Sequence, residues 1–373
     1  MTVRADTPPA AFLRGDRKVT VLALREHPDR IDVRSPSEFV EDHVPGAANH
    51  PVLDDDERAR IGTMHAKESA FAARRAGAAL VARNIAAMLE GPFAGKPRDW
   101  APLVYCWRGG QRSRSLVHML SEIGWRAVQL DGGYRAYRRH VTARLESLPA
   151  RIRYEVICGL TGSGKSRLLG ALAAEGAQVL DLEALAKHRG SLLGDLPGVG
   201  QPSQKWFDSQ VHAALESFDA GRPVYVESES KKIGTVQIPD TLLAAMRSAE
   251  CIRIDTPQPL RVALLKDEYA HYLTDPAALS SRLLPLVELH GKKTLERWAA
   301  AAAAGDWDAL VGELLIRHYD PTYTRSIAKN FPRIADAIVV APANAGPDAF
   351  RALAREVDAD VQARSVDPMP VPA

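Results

Sequence analysis

Along the first half of the chain, short apolar runs alternate with longer stretches of helical spacing. Ile31-Asp32-Val33, Leu103-Val104-Tyr105 and residues 127–130 predict strands, whereas residues 66–89 and 112–123 repeat apolar positions every three or four residues and predict helices. Ser35 predicts the cap of a short helix over 36–41, and His43-Val44-Pro45-Gly46-Ala47 a tight return to the sheet. The alternation resumes with Glu155-Val156-Ile157-Cys158, Val179-Leu180, Val224-Tyr225-Val226, Ile252-Arg253-Ile254 and Ile338-Val339-Val340. Two of these strands close on acids, Asp181 and Glu227. A helical stretch over 259–318 is too long for a simple crossover. Strands alternating with helices predict an α/β protein with a mainly parallel, helix-covered sheet in each half. The boundary falls near residues 145–153, giving domains at 15–145 and 152–365.

A length of 373 residues supports two cores of ordinary size. With 46% hydrophobic and 25% charged residues, the composition is that of a globular domain rather than a disordered or membrane chain. Residues 1–18 carry Arg4, Asp6, Arg14 and Asp16 around no apolar core, so no secretory signal is expected, and no later run is long enough to span a membrane. Cys106, Cys158 and Cys251 form neither an even disulfide set nor a CxxC pair, which predicts a reducing, cytoplasmic setting. Low complexity is confined to the alanine run 299–304 and the proline-rich tail 366–373, the latter expected to fray. A net charge of +2 does not announce a nucleic-acid binder. Its distribution is more suggestive: Arg135, Arg138, Arg139, Arg144, Arg151 and Arg153 face a single acid, Glu146. Arg138, Arg139, Arg144, Arg151 and Arg153 are the RNA-binding candidates, and the same stretch reads equally as a solvated helical connector.

Two loops carry the candidate chemistry. Cys106-Trp107-Arg108-Gly109-Gly110-Gln111-Arg112 and Gly159-Leu160-Thr161-Gly162-Ser163-Gly164-Lys165-Ser166 each follow a predicted strand and open a predicted helix. Loops so placed aim backbone N–H groups and a helix N-terminus at an anion. In the first, Arg108 and Arg112 flank Cys106, and such charge with oriented dipoles activates a thiol as a nucleophile. Cys106, Arg108 and Arg112 are therefore the candidate catalytic residues, and the Cys-x5-Arg spacing suits a tetrahedral oxyanion. The second loop is a complete P-loop: Gly159, Gly162 and Gly164 shape the cradle, Lys165 neutralises phosphate, and Ser166 can ligate Mg²⁺. The motif does not specify ATP, because a prenyl diphosphate offers the same oxygens. Asp181 and Glu227 read equally as acids near a metal and as ordinary strand-end carboxylates.

The first half resembles the rhodanese sulfurtransferase module through Asp32-Val33-Arg34, His43-Val44-Pro45-Gly46-Ala47, the cysteine loop and Asp131-Gly132-Gly133-Tyr134. It departs from single-domain rhodaneses, which usually carry Cys-x4-Arg. Over nearly its full length the chain resembles the tRNA 2-selenouridine synthase family. The resemblance rests on Asp54-Asp55-Asp56-Glu57-Arg58-Ala59 with Ile61-Gly62-Thr63, the run from Asp181 to Ser191, and Gln201-Pro202-Ser203-Gln204. Val226-Glu227-Ser228-Glu229-Ser230 with Ile233-Gly234, and Tyr319-Asp320-Pro321-x-Tyr323, extend it. It implies a rhodanese-like parallel-sheet domain followed by a P-loop NTPase-like α/β domain with a helical insertion or extension.

The resemblance also implies a transferase acting on wobble 2-thiouridine in tRNA. Geranyl diphosphate alkylates the thiouridine sulfur, and selenium from selenophosphate then replaces the S-geranyl group, with no tightly bound cofactor. Under the same resemblance Cys106 carries selenium as an S-selanylcysteine, and Gly77 matches a glycine linked to the selenation step. The His188-Arg189-Gly190-Ser191 segment reads either as a phosphate or RNA contact or as a helix end with a basic cap and a glycine stop. Ser228 stands where the family often has a second acid, which argues against a paired-carboxylate metal site. Other classes fit parts of the pattern. One is a sulfurtransferase or cysteine phosphatase fused to a P-loop kinase or ATPase, and another is a non-catalytic scaffold that hands persulfide to a partner enzyme.

Overall fold

The computed structural model describes residues 17–366. The N-terminal stretch through Asp16 and the proline-rich tail from Asp367 lie outside them. The chain divides into two compact units, Met1–Arg144 with Ser203–Ala213, and Leu145–Pro202 with Ala214–Ala373.

The first unit is built on five parallel strands, β1 (Lys18–Val19), β2 (Arg30–Asp32), β3 (Ala47–Asn49), β4 (Leu103–Tyr105) and β5 (Val128–Leu130), in the order β1-β5-β4-β2-β3. Leu103, Val104 and Tyr105 are all buried, as expected of a central parallel strand covered on both faces. Val104 lies opposite Ile31 and packs with Val33, Leu116 and Leu120. The short helix Pro36–Glu41 is closed by the expected cap, since Ser35 and Glu38 form a capping box. Where the spacing predicts one helix over 66–89, the chain forms two, Asp55–Lys67 and Ala70–Glu90. Asp54 caps the first by accepting from the Glu57 N–H. Ser69, in extended backbone, caps the second by accepting from the Ala72 N–H.

The second unit holds β6 (Tyr154–Cys158), β7 (Gln178–Leu180), β8 (Val224–Glu227), a small antiparallel hairpin of β9 (Lys232–Ile233) and β10 (Val236–Gln237), then β11 (Glu250–Ile254) and β12 (Ile338–Val340). The main sheet is parallel in the order β12-β11-β6-β8-β7. Its glycine-loop strand β6 is therefore central, with β8 on one side and β11 on the other. The expected helical insertion lies between β11 and β12, as a succession of helices from Gln258–Glu268 to Asp320–Asn330. It has its own apolar core around Tyr272, Leu279, Leu283, Trp298, Leu310 and Leu314. Ser203–Ala213 clusters with the first unit, a return that a single boundary at 145–153 does not include. Among the described residues no helix is long and apolar enough to cross a membrane.

Candidate functional site

The thiol loop begins where β4 ends. Cys106 is buried, and its Sγ accepts hydrogen bonds from the Gly110 N–H and the Ser113 hydroxyl, each at 3.2 Å. Gly110 is the N-cap of the helix Gln111–Ile123, so the helix dipole also points at the sulfur. Ser113 is fixed in turn by the Gln129 amide, which donates to its Oγ at 2.7 Å and to the Gly110 carbonyl at 3.0 Å. Sequence reasoning missed Gln129, although a polar residue inside the apolar run of β5 was the available signal. Asp131-Gly132-Gly133-Tyr134 earns its place by packing under the loop. The Tyr134 and Arg135 N–H groups donate to the Cys106 and Trp107 carbonyls, and a Cβ on Gly133 would sit 2.3 Å from the Cys106 oxygen.

The flanking arginines behave differently from one another. Arg108 is exposed beside the loop. Arg112 pairs with the Glu38 carboxylate at 2.9 Å instead of turning to the sulfur, and Arg58 shares the same carboxylate at 3.1 Å. Burial raises the Glu38 carboxyl, yet the Arg112 hydrogen bond and charge, with the Ser35 N–H and the Arg58 charge, together outweigh it and hold the group below its ordinary value. Gly77 is buried in Ala70–Glu90, where an added Cβ would meet Ile61 only at ordinary contact distance, 3.5 Å. It lines an open cleft that Arg112 also lines. Glycine is therefore not demanded there by close helix packing.

The five arginines offered for RNA do not form one free stripe. Arg138 donates to the Asp208 carboxylate at 2.5 Å and to the Lys205 carbonyl at 3.0 Å, and lies 3.8 Å from Asp42. The acids that hold it are remote in sequence, which is why a local reading missed them. Arg139 belongs to the helix Gly133–Ser147 with the half-buried Arg144, whereas Arg151 and Arg153 stand in the second unit.

In that unit the glycine loop joins β6 to the helix Lys165–Ala174. The Lys165 ammonium donates to the Gly159 carbonyl at 3.2 Å and lies 5.7 Å from the Tyr323 ring centre. Gly162 and Gly164 have φ of +74° and +88°. A Cβ on them would strike Leu265 and Phe350 at 2.6 Å, and one on Gly159 would strike Ile254 at 2.5 Å. The loop is braced from outside, since Thr256 donates to the Ser163 carbonyl and Arg261 to the Thr161 carbonyl.

Beside this loop the carboxylates of Glu183, Glu227 and Glu229 offer oxygens within 4.8 Å of one another. Burial, and then the neighbouring carboxylates, raise the Glu183 and Glu229 carboxyls above their ordinary values. The Glu227 Oε1 is buried without a hydrogen-bond partner. A hard divalent cation suits this all-oxygen set, and Ser166, which lowers the Glu227 carboxyl against the rise caused by its burial, stands at its edge. Sequence reasoning found Glu227 but missed Glu183 and Glu229, which bring two further carboxylates beside Ser228. Asp181 caps the short helix Leu182–Ala186 by accepting from the Ala184 N–H. His188 is buried, accepts from the Gly190 N–H and lies 3.4 Å from Asp195, while Arg189 donates to the Glu268 carbonyl and covers the Tyr269 ring. Gly190 brings this segment to the acids, because its Cβ would lie 2.9 Å from oxygens of both Glu183 and Glu229.

An apolar cavity opens at the same loop, lined by Thr161, Leu193, Leu265, Tyr269, Leu310 and Leu314 among others.

Family models match both units: a rhodanese-like domain over residues 20–140 and the tRNA 2-selenouridine synthase AAA domain over 152–283. A tRNA 2-selenouridine synthase of Nitrosomonas europaea is 33% identical over 71% of this chain and 69% of its own length. One from Aeromonas salmonicida is 32% identical over 82% and 88%, and one from Bdellovibrio bacteriovorus 37% identical over 64% of each. With a rhodanese-like unit carrying Cys106 and a P-loop unit carrying Lys165, matched over most of its length, the chain belongs to the tRNA 2-selenouridine synthase family.

Proposed function

We propose that the chain converts wobble 2-thiouridine in tRNA to 2-selenouridine in two steps divided between its two loops. In the first, the thiouridine sulfur attacks the C1 carbon of geranyl diphosphate, the C1–O bond breaks, the base gives up its N3 proton to solvent, and diphosphate leaves into the glycine-loop cradle. Lys165 and the loop amides balance the charge that grows on the leaving oxygens. A Mg²⁺ held by Ser166 and the three glutamates would supply further neutralisation of the diphosphate when bound. In the second step the selenium of selenophosphate adds at C2, the C2–S bond breaks with loss of geranyl thiol, water takes the phosphoryl group as phosphate, and Cys106, under its N–H and O–H donors, helps hold the selenium donor at the loop. Alkylation prepares this exchange because a thiolate leaves C2 more readily than an unmodified thiocarbonyl sulfur. Such a reaction on tRNA belongs in the cytoplasm.

The observation that carries the prenyl reading is the apolar cavity at the P-loop. Leu265 both packs against Gly162 and lines that cavity, so the phosphate cradle meets an apolar wall at one residue. The test is nucleoside mass spectrometry after incubating the protein with thiolated tRNA, geranyl diphosphate and then selenophosphate. S-geranyl-2-thiouridine should appear first and 2-selenouridine second, with diphosphate release dependent on the thiolated RNA. ATP turnover without RNA and no change in the nucleoside would instead identify a kinase or ATPase.

A further inference from the structure

The cleft beside the thiol loop has an unused chemistry of its own. It holds about 790 Å³ between the helices Asp55–Lys67, Ala70–Glu90 and Gln111–Ile123. Arg58, Arg74, Arg112 and Arg114 line it with His65 and His118, and no carboxylate does. Glu38, outside the lining, engages Arg58 and Arg112. Arg74 and Arg114 are exposed and have no ion-pair partner among the described residues. The floor is apolar, with Ile61, Ala78 and Val81. Phe71, 74% exposed, stands one turn before Arg74 and so on the same helix face.

We infer that this cleft binds single-stranded RNA, namely the unpaired loop that presents the wobble base. The inference rests on the reading of the chain as acting on tRNA. Cations spread along a groove follow a phosphate chain, whereas an apolar floor with an exposed aromatic and guanidinium planes takes unstacked bases. A small oxyanion needs no such floor, and a duplex keeps its base faces inside the helix. Position supports the assignment. The Gly110 N–H donates to the Cys106 sulfur, and the next residue, Gln111, already lines the cleft, so RNA seated there lies at the rim of the thiol loop.

The test is fluorescence anisotropy on the full chain, with a labelled RNA stem-loop as probe and a fully paired RNA duplex as comparison, in the absence of geranyl diphosphate and selenophosphate. Arg74→Ala with Arg114→Ala should weaken stem-loop binding roughly tenfold at low salt. It should also make the slope of log affinity against log salt shallower by about 1.4, two single-strand phosphate contacts at about 0.7 each. Phe71→Ala should weaken binding without changing that slope. Arg75→Ala with Arg83→Ala, a charge-matched change on the same helix outside the cleft, should leave affinity within about twofold. Unchanged stem-loop affinity in the Arg74/Arg114 variant, an equal loss in the Arg75/Arg83 variant, or an equal loss for the duplex would overturn the inference. Thermal melts of each variant separate misfolding from lost contacts, and the charge-retaining Arg74→Lys with Arg114→Lys should restore the salt slope. Because binding alone is read, failure here is distinct from failure of the proposed chemistry, which would appear as intact RNA binding without nucleoside conversion.

Discussion

Arg261 and Asp320 form a two-point ion pair, with N–O distances of 3.0 and 2.5 Å, and the remaining Nε–H of the arginine donates to the Thr161 carbonyl of the glycine loop. A helix of the insertion thereby holds the loop's shape from outside. Asp320→Ala would leave a buried guanidinium without its partner and should cost about 3 kcal/mol, the lower end for a broken buried pair. Denaturant unfolding reads that loss. Affinity for geranyl diphosphate should fall as well, and unchanged affinity in a folded variant would show that the brace is only structural.

Lys165→Ala removes the point charge facing the diphosphate. Geranylation should fall by several orders of magnitude, while selenation of tRNA supplied already geranylated should persist. Equal loss in both assays would mean that the P-loop serves RNA placement or assembly.

Cys106→Ala should show the opposite split, with S-geranylated uridine accumulating and no selenium entering. Ser113→Ala removes one of the two donors to the sulfur and should slow selenation by roughly tenfold, about the 1.4 kcal/mol expected of one such hydrogen bond. If Cys106→Ala makes neither product while folding normally, the division of labour is wrong.

Gly77→Ala should be tolerated, because the new Cβ meets Ile61 at ordinary contact distance and alanine favours the helix by up to about 1 kcal/mol. Gly77→Leu should instead project into the cleft, lowering selenation with little change in melting temperature. Equal activity in both variants would remove Gly77 from the site.

Glu155 gives a pH prediction away from the chemistry. It is buried on β6, its Oε2 has no hydrogen-bond partner, and burial pushes its carboxyl up to about 7. A raised folded-state value means stability fully present below about 4.5 and lost as pH rises through about 7. Glu155→Gln should therefore raise the unfolding midpoint at pH 8 relative to the parent and flatten the difference between pH 5 and pH 8. Parent and variant curves that stay parallel across this range would show that Glu155 does not titrate there.

Both parallel-sheet units and both loops were legible in the sequence because each rests on local signals: apolar runs of strand length, glycines with a lysine or cysteine at fixed offsets, and a cap at Ser35. What escaped reading depends on contacts between distant segments. Arg138 looked free until Asp208, 70 residues away, was brought to it. Glu183 was invisible as a partner of Glu227 because it reaches β8 only once β7 lies beside it, whereas Glu229, two residues after Glu227, was within local view and went unread as its partner. The break at Ser69 was readable as a serine cap, yet the alanine-rich run that follows it, read as begun at Ala66, hid it.

The return of Ser203–Ala213 to the first unit has a consequence for how the chain could have arisen and how it can be taken apart. Trp206 stacks on His43, Lys205 pairs with Glu41, and Asp208 holds Arg138, so the first unit completes its own surface with residues encoded after the P-loop. The two halves are interlaced rather than strung in tandem. A gene cut between them would deliver an amino-terminal fragment with an exposed aromatic seat at His43 and an Arg138 that keeps Asp42 but loses Asp208, its closer acid.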